Sequence, residues 1–351
     1  MPSEAVKVST PGSYARGPIY CGNLSDSRTT LRPVTEISGD FETHPPVHRL
    51  DRLAPPYRRG AYPATYRPVR DARQGLVFDP ALKHHHNAYR AGEPIFGVPG
   101  LGERWRAARR AAATHILSVL AGTVLPGDLV LRGSAAMPAW VGAAAREPGD
   151  LDFVVAPASL ASDSAAAREL LDGIVAAVAA SPAAGLRPDR VAESAIWTYE
   201  RADGRRLTIP FEVPGVPEGI VQIDIVFGEE LPTAPEPLLL PGLREPVLAA
   251  TAGLSLAWKL LWLATDCYPQ GKDLYDAVLL AEHTSVDLAL VRELMRPELR
   301  DEADEFTAES VLTWTDLEWN NFIQDYPELI TEPHALPWLR RLAAALERAW
   351  R

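Results

Sequence analysis

The chain has 351 residues, 47% of them apolar, enough to bury a core in one large domain or two ordinary ones. A formal net charge of -11 argues against nonspecific nucleic-acid binding by the protein as a whole. No unbroken apolar run approaches the roughly 18 residues of a membrane span, and the N-terminal MPSEAVKVSTPGSYARG lacks the apolar stretch of a secretory signal.

Two cysteines, Cys21 and Cys267, are too few for a disulfide framework or a zinc knuckle. These features together lead to the expectation of a soluble, cytoplasmic protein. The charge is unevenly spread. Residues 1–110 carry 17 Lys/Arg against 10 Asp/Glu, whereas the remainder carries 18 against 36. The basic part gathers between Arg49 and Arg110, with Arg58-Arg59 and Arg109-Arg110 as pairs. Such a stretch reads either as a solvated arm or as a surface that meets phosphate.

In chain order, residues 1–75 are rich in Pro, Gly, Ser and Arg and weak in apolar periodicity, so an unordered basic arm is expected. A helical lead-in occupies 76–125, dominated by a helix over Glu103–Leu120 that sets Trp105, Ala112, Ile116 and Leu120 on one face. A mixed α/β unit follows over 126–235. It reads as strand Asp128–Leu131, turn Gly133-Ser134, a helix from Ala135, strand Asp150–Val155, and a helix over Ala161–Ala180. Strands over Ser194–Glu200, Leu207–Val213 and Ile220–Phe227 complete it. From 247 to 351 the pattern is helical, with helices expected over Ala249–Thr265, Lys272–Glu282, Val286–Met295, Glu309–Tyr326 and Pro337–Trp350. The fold class expected is therefore α+β, with a helical bundle packed on a mixed α/β core.

Three features carry chemistry. In Leu129–Ser134 (LVLRGS), a strand ends in Gly-Ser and opens a helix, which offers backbone N–H groups and a hydroxyl to an anion. Asp150 and Asp152 sit at i and i+2, so on a strand both point to one face, where they repel unless a cation lies between them. Asp224 lies between Ile223 and Ile225 in a run suited to a central strand. It is either the polar residue of an alternating pattern or a ligand of the same cation. The consecutive His84-His85-His86 lack the i, i+4 spacing of a helical metal pair and read as a surface tract. Trp258, Trp262, Trp314, Trp319 and Trp338 read as bundle core.

The order strand, Gly-Ser, helix, Asp-x-Asp strand, later single-Asp strand resembles the nucleotidyltransferase superfamily that shares the DNA polymerase β palm. A further stretch narrows the resemblance. In LAWKLLWLATDCYPQGKDLYDAVLLAE, Lys259 on a helix is followed by Lys272-Asp273-Leu274-Tyr275-Asp276 opening the next helix, and Arg146 stands four residues before Asp150. These are similar to motifs of the AbiEii/AbiGii toxin family, over about residues 129–283. The resemblance implies a polymerase-β-like nucleotidyltransferase core. Asp150, Asp152 and Asp224 would be catalytic and hold Mg2+ (or Mn2+). Gly133, Ser134, Lys259, Lys272, Asp273 and Asp276 would bind the nucleotide.

The implied reaction is transfer of a nucleoside monophosphate from an NTP to an acceptor hydroxyl on tRNA or protein, by the toxin of a type IV toxin–antitoxin pair whose antitoxin is encoded nearby. Two alternatives stand beside it: transfer to a small molecule such as an aminoglycoside, and a catalytically inactive nucleotide- or partner-binding protein. The chain departs from the family pattern at Arg132, where a first glycine is usual, at Pro148, where a serine is usual, and at Thr265, where an arginine is usual. The first two changes are expected to alter loop shape, and the third removes a cation from the implied triphosphate pocket.

Overall fold

A computed structural model describes residues 69–78, 89–196 and 203–350. The basic pair Arg58-Arg59, the tract His84–His86 and most of the expected unordered arm lie outside these residues.

The described chain starts with strands where a helical lead-in is expected. Strand β1 (Ala72–Arg73) pairs with β4 (Ile95–Phe96), and β2 (Leu76–Phe78) with β3 (Tyr89–Ala91), both antiparallel. Helix α1 (Leu101–Ala121) follows, and its buried Leu101, Trp105, Ala108, Ala112, Ile116 and Leu120 fall on one stripe.

A seven-stranded mixed sheet forms the centre. Its strands are β5 (Asp128–Arg132), β6 (Leu151–Ala156), β7 (Ala192–Ala195), β8 (Gly204–Phe211), β9 (Gly219–Val226), β10 (Glu236–Leu238) and β11 (Val247–Ala249). They lie in the order β10-β11-β5-β6-β9-β8-β7. Strand alternation gives the sheet two different faces. Leu131, Leu151, Phe153, Val155, Leu207, Ile209, Phe211, Val221, Ile223 and Ile225 belong to one apolar cluster, completed by α1 and by α3 (Ala165–Ala180). Helix α3 starts later than expected because Ser164 caps it, accepting a hydrogen bond from the Ala167 N–H. On the opposite face, Val130 and Val154 join the core of the C-terminal helices. Their face-mates Arg132 and Asp152, paired across β5 and β6, are polar and belong to the site described below.

The short α2 (Met137–Val141) leads from β5 toward β6. The C-terminal part holds α4 (Ala252–Thr265), α5 (Gly271–His283), α6 (Leu288–Leu299), α7 (Trp319–Asp325) and α8 (Ala335–Ala349). Helices α4 and α5 are buried almost all round, as central helices of a bundle must be. Trp258, Trp319 and Trp338 lie in the core, whereas Trp262 and Trp314 are only partly buried.

Two expected helices are shorter than their pattern suggests. Val247–Ala249 is strand, hydrogen-bonded beside β5, and α4 begins only after Thr251, which accepts from the Leu254 N–H. Glu309–Tyr326 divides into a 3-10 stretch, Ala308–Thr313, and α7. At the end of the first, the Thr313 hydroxyl donates to the Ser310 carbonyl, and before the second the Glu318 N–H pairs with the Pro269 carbonyl.

Candidate active site

Pairing register brings the three acids together. Strands β6 and β9 run parallel with Asp152 opposite Asp224, and Asp150 precedes β6 by one residue. Ligand oxygens of Asp150, Asp152 and Asp224 all lie within 4.8 Å of one another. The expected Gly-Ser turn meets them, because antiparallel β5 sets Arg132 opposite Asp152 and Gly133 follows at once. Gly133 has φ +73°, and a Cβ there would come within 2.6 Å of Asp152 Oδ2, so both conformation and space demand glycine. Ser134 is buried, and its hydroxyl makes no hydrogen bond among the described residues.

The electrostatics are uneven. Asp152 is pushed up to about 8, first by burial and then by Asp150 and Asp224, with Arg132 and Lys272 pulling it back. Burial also raises the Asp224 pKa, against the opposing pull of Arg206. Arg206 on β8 is the register partner of Asp224 and grips it with two bonds of 2.7 Å, Nε to Oδ1 and Nη2 to Oδ2. Gln222 Nε2 donates to Asp224 Oδ2 at 3.0 Å and, at 3.4 Å, to Asp150 Oδ2. Asp152 accepts no side-chain hydrogen bond among the described residues. Three converging carboxylates, one of them without a side-chain donor and held high by burial and then by its neighbours, are a donor set that fits a hard divalent cation such as Mg2+ or Mn2+.

Of the remaining expected residues, Lys259, Asp273 and Asp276 gather in a second cluster. Lys259 on α4 is buried, with Nζ 2.6 Å from Asp273 Oδ1 and 3.2 Å from Asp276 Oδ2. Arg146 donates to both oxygens of Asp276, at 3.0 and 2.9 Å, and to the Tyr326 hydroxyl at 3.0 Å. Burial alone would lower the Lys259 pKa, but Asp273 and Asp276 outweigh it and hold the ammonium charged. Asp273 is likewise held low, because Lys259 and Lys272 outweigh its burial. Tyr326 in turn donates to the Glu147 carbonyl and Tyr275 to the Ala144 carbonyl. The segment leading to Asp150 is thereby tied to the bundle. Lys272, the other lysine of this motif, is exposed and has no ion pair among the described residues.

These geometries bear on a family. A sequence profile described as "Nucleotidyl transferase AbiEii toxin, Type IV TA system" matches residues 116–348. The chain belongs to the AbiEii family. It is a nucleotidyltransferase of mixed α/β fold, in a family of type IV toxin–antitoxin toxins. Among solved structures, one that the chain resembles is "MenT4, nucleotidyltransferase toxin Rv2826c from Mycobacterium tuberculosis H37Rv", at 22% identity and TM-score 0.46 over 71% of this chain and 85% of that one. No curated protein matches. Among the described residues, no helix is long and apolar enough to cross a membrane.

Several participants escaped the sequence reading of this AbiEii chain. Arg132 does not reshape a loop. It ends β5 in extended conformation, is 2% exposed, pairs with Glu229 at 2.7 Å, and lies 5.2 Å from the Trp258 ring and 5.8 Å from Trp262. Arg206, and the bonds that Gln222 makes to Asp224 and Asp150, were not foreseen either. The signal for Arg206 was present: Leu207, Ile209 and Phe211 alternate with Arg206 and Thr208, and the β8–β9 register sets these against Asp224 and Gln222. The basic pair Arg109-Arg110 is not a bare cationic surface. Arg109 pairs with Glu93 at 2.9 Å, and Arg110 pairs with Glu103 at 2.9 Å and Glu147 at 3.0 Å.

Proposed function

We propose that the chain moves a nucleoside monophosphate from an NTP to a hydroxyl of a macromolecular acceptor, a tRNA or a protein, at the site formed by Asp150, Asp152 and Asp224. The observation that carries this reading is the convergence of the three carboxylates beside the Gly133-Ser134 turn. In the reaction the acceptor oxygen bonds to the α-phosphorus, the bond from that phosphorus to the bridging oxygen breaks, and pyrophosphate leaves. Bound Mg2+ or Mn2+ supplies neutralisation of the phosphate oxygens and lowers the cost of deprotonating the acceptor. Asp150 and Asp152 hold it, and Asp224 completes the ligand set and draws the acceptor proton.

The turn backbone and the Ser134 hydroxyl donate to phosphate oxygens. Lys272 lies near enough to pull on Asp152 and faces the triphosphate as a cation. Lys259, Asp273 and Asp276 serve nucleotide binding by fixing the base of this pocket, since their charges neutralise one another. An antitoxin is the partner that the type IV family context suggests, and the protein acts in the cytoplasm.

The test is incubation of the full chain with each α-labelled NTP, Mg2+, and either total tRNA or total protein. Label should appear on one acceptor class and vanish with Asp152→Asn. Label on neither, with Mg2+ and with Mn2+, would overturn the reading. A second acceptor class is favoured by one observation, the excess of 36 Asp/Glu over 18 Lys/Arg beyond residue 110, which suits a small cation such as an aminoglycoside. Label on an added aminoglycoside and on no macromolecule would select it.

A further inference from the structure

The three carboxylates are not equally open. Asp224 offers about four lone-pair positions on its two oxygens, and three already receive donors: Arg206 Nε and Nη2, and Gln222 Nε2. Asp150 has one long contact, at 3.4 Å from Gln222, and Asp152 has no side-chain donor among the described residues. Arg206 is itself buried, 6% exposed, and is fixed by the β8–β9 register, so its guanidinium is built into the site and is not a surface side chain swinging by.

We propose that Arg206 is a positioning residue that latches Asp224, so that divalent cations load in sequence: first on Asp150 and Asp152, and on Asp224 only when Arg206 yields. This rests on the metal-dependent reading above. The physical argument is competition. A cation and a guanidinium fork both seek the same oxygens, and a bidentate charge-assisted pair is among the stronger side-chain interactions. Arg206 also offsets one of three like charges, which lets the acids converge in the cation-free protein without unfolding the sheet. Once the latch is displaced, the guanidinium stays on β8 beside Asp224, on the side of the site away from the Gly133-Ser134 turn.

The test titrates the full chain with Mn2+ alone and follows free Mn2+ by electron paramagnetic resonance, which counts bound ions without any turnover. The wild type should bind one ion tightly and a second weakly. Asp224→Asn should lose the weak ion and keep the tight one. In Arg206→Gln the weak ion should bind at least about tenfold more tightly, because a charged hydrogen-bonded competitor is gone. Arg206→Lys, which keeps the charge but loses the fork, should fall between the two and serves if the Gln variant does not fold. A second ion whose affinity is unchanged or weakened in the folded Arg206 variants overturns the latch alone. So does a wild type that binds two ions equally. A wild type that binds no Mn2+ overturns the metal-dependent reading together with the latch.

Discussion

Two charge clusters each take residues from the segment 146–152, one buried within the bundle and one in which Asp224 is buried but Asp150 and Asp152 only half so, and they differ in balance. The bundle cluster sets two cations, Lys259 and Arg146, against two anions, Asp273 and Asp276, and every charged group is hydrogen-bonded within it. The sheet cluster sets Asp150, Asp152 and Asp224 together and matches only Asp224 directly, with Arg206. A buried charge is tolerated when paired and costly when not. The first cluster is therefore complete as it stands, and the second is complete only with a cation. In the proposed function this contrast separates residues that hold the site from residues that would carry its chemistry, although both sets come from the same family motifs.

The sharpest break in the comparison is Asp152→Asn. A neutral amide is a poor replacement for an ionised ligand oxygen, so transfer should fall on the order of 100-fold or more. Thermal stability without metal should hold near neutral pH, where the Asp152 carboxyl keeps its proton, and rise above about pH 8, where the substitution removes a repelling charge. A calorimetric midpoint that drops steeply would show that Asp152 is a structural group after all.

The opposite pattern is expected for Asp276→Ala. Asp276 is 0% exposed and neutralises both Arg146 and Lys259. Removing one partner of a buried pair leaves an uncompensated charge and typically costs about 3–5 kcal/mol. Urea unfolding should show that loss with or without metal. A variant within about 0.5 kcal/mol of the wild type would place this cluster outside the stabilising core.

How much of this was legible in the sequence follows from the range of each interaction. The sheet core, both long helices on its covered face, and the Asp150 and Asp152 pair were readable, because period-two and period-3.6 patterns are local and the two acids share a face by strand geometry alone, whereas the pattern left Asp224 open and only the family resemblance assigned it. The family motifs supplied Lys259, Asp273 and Asp276 but not their mutual pairing, since a resemblance names residues and not which charges cancel. Arg206 stayed hidden because its partner is set by register across a hairpin. Arg132 stayed hidden because Glu229 and Trp258, its partners, lie 97 and 126 positions away along the chain. The strand Val247–Ala249 was missed because three residues show no period, and only pairing with β5 defines it.

A pH titration compares the clusters a third way. The folded pKa of Asp152, about 8, lies well above the unfolded value near 4. The folded state thus binds a proton that the unfolded state lacks between these limits. The stability Asp152 contributes is full below about pH 4 and is lost as pH rises through about pH 8. Metal-free protein should therefore lose thermal stability across this window, and Asp152→Asn should flatten that part of the curve. Added Mg2+ should restore most at the alkaline end, where protons no longer compete. Equal pH slopes in wild type and variant would remove Asp152 as the source.

The smallest effect concerns two lysines that the motif treats alike. Lys259 is buried between two carboxylates, whereas Lys272 is exposed and unpaired among the described residues, yet close enough to act on Asp152. Lys259→Ala should therefore strand Asp273, while Asp276 keeps Arg146, and appear first as lost stability. Lys272→Ala should leave the unfolding midpoint where it was and raise KM for the NTP a few-fold, with the rise shrinking as salt is added, because an exposed charge is screened. The two variants together decide whether the charge imbalance, and not membership in the motif, sets a residue's role. If Lys272→Ala leaves KM unchanged at low ionic strength while Lys259→Ala raises it without loss of stability, the assignment of the two lysines is reversed.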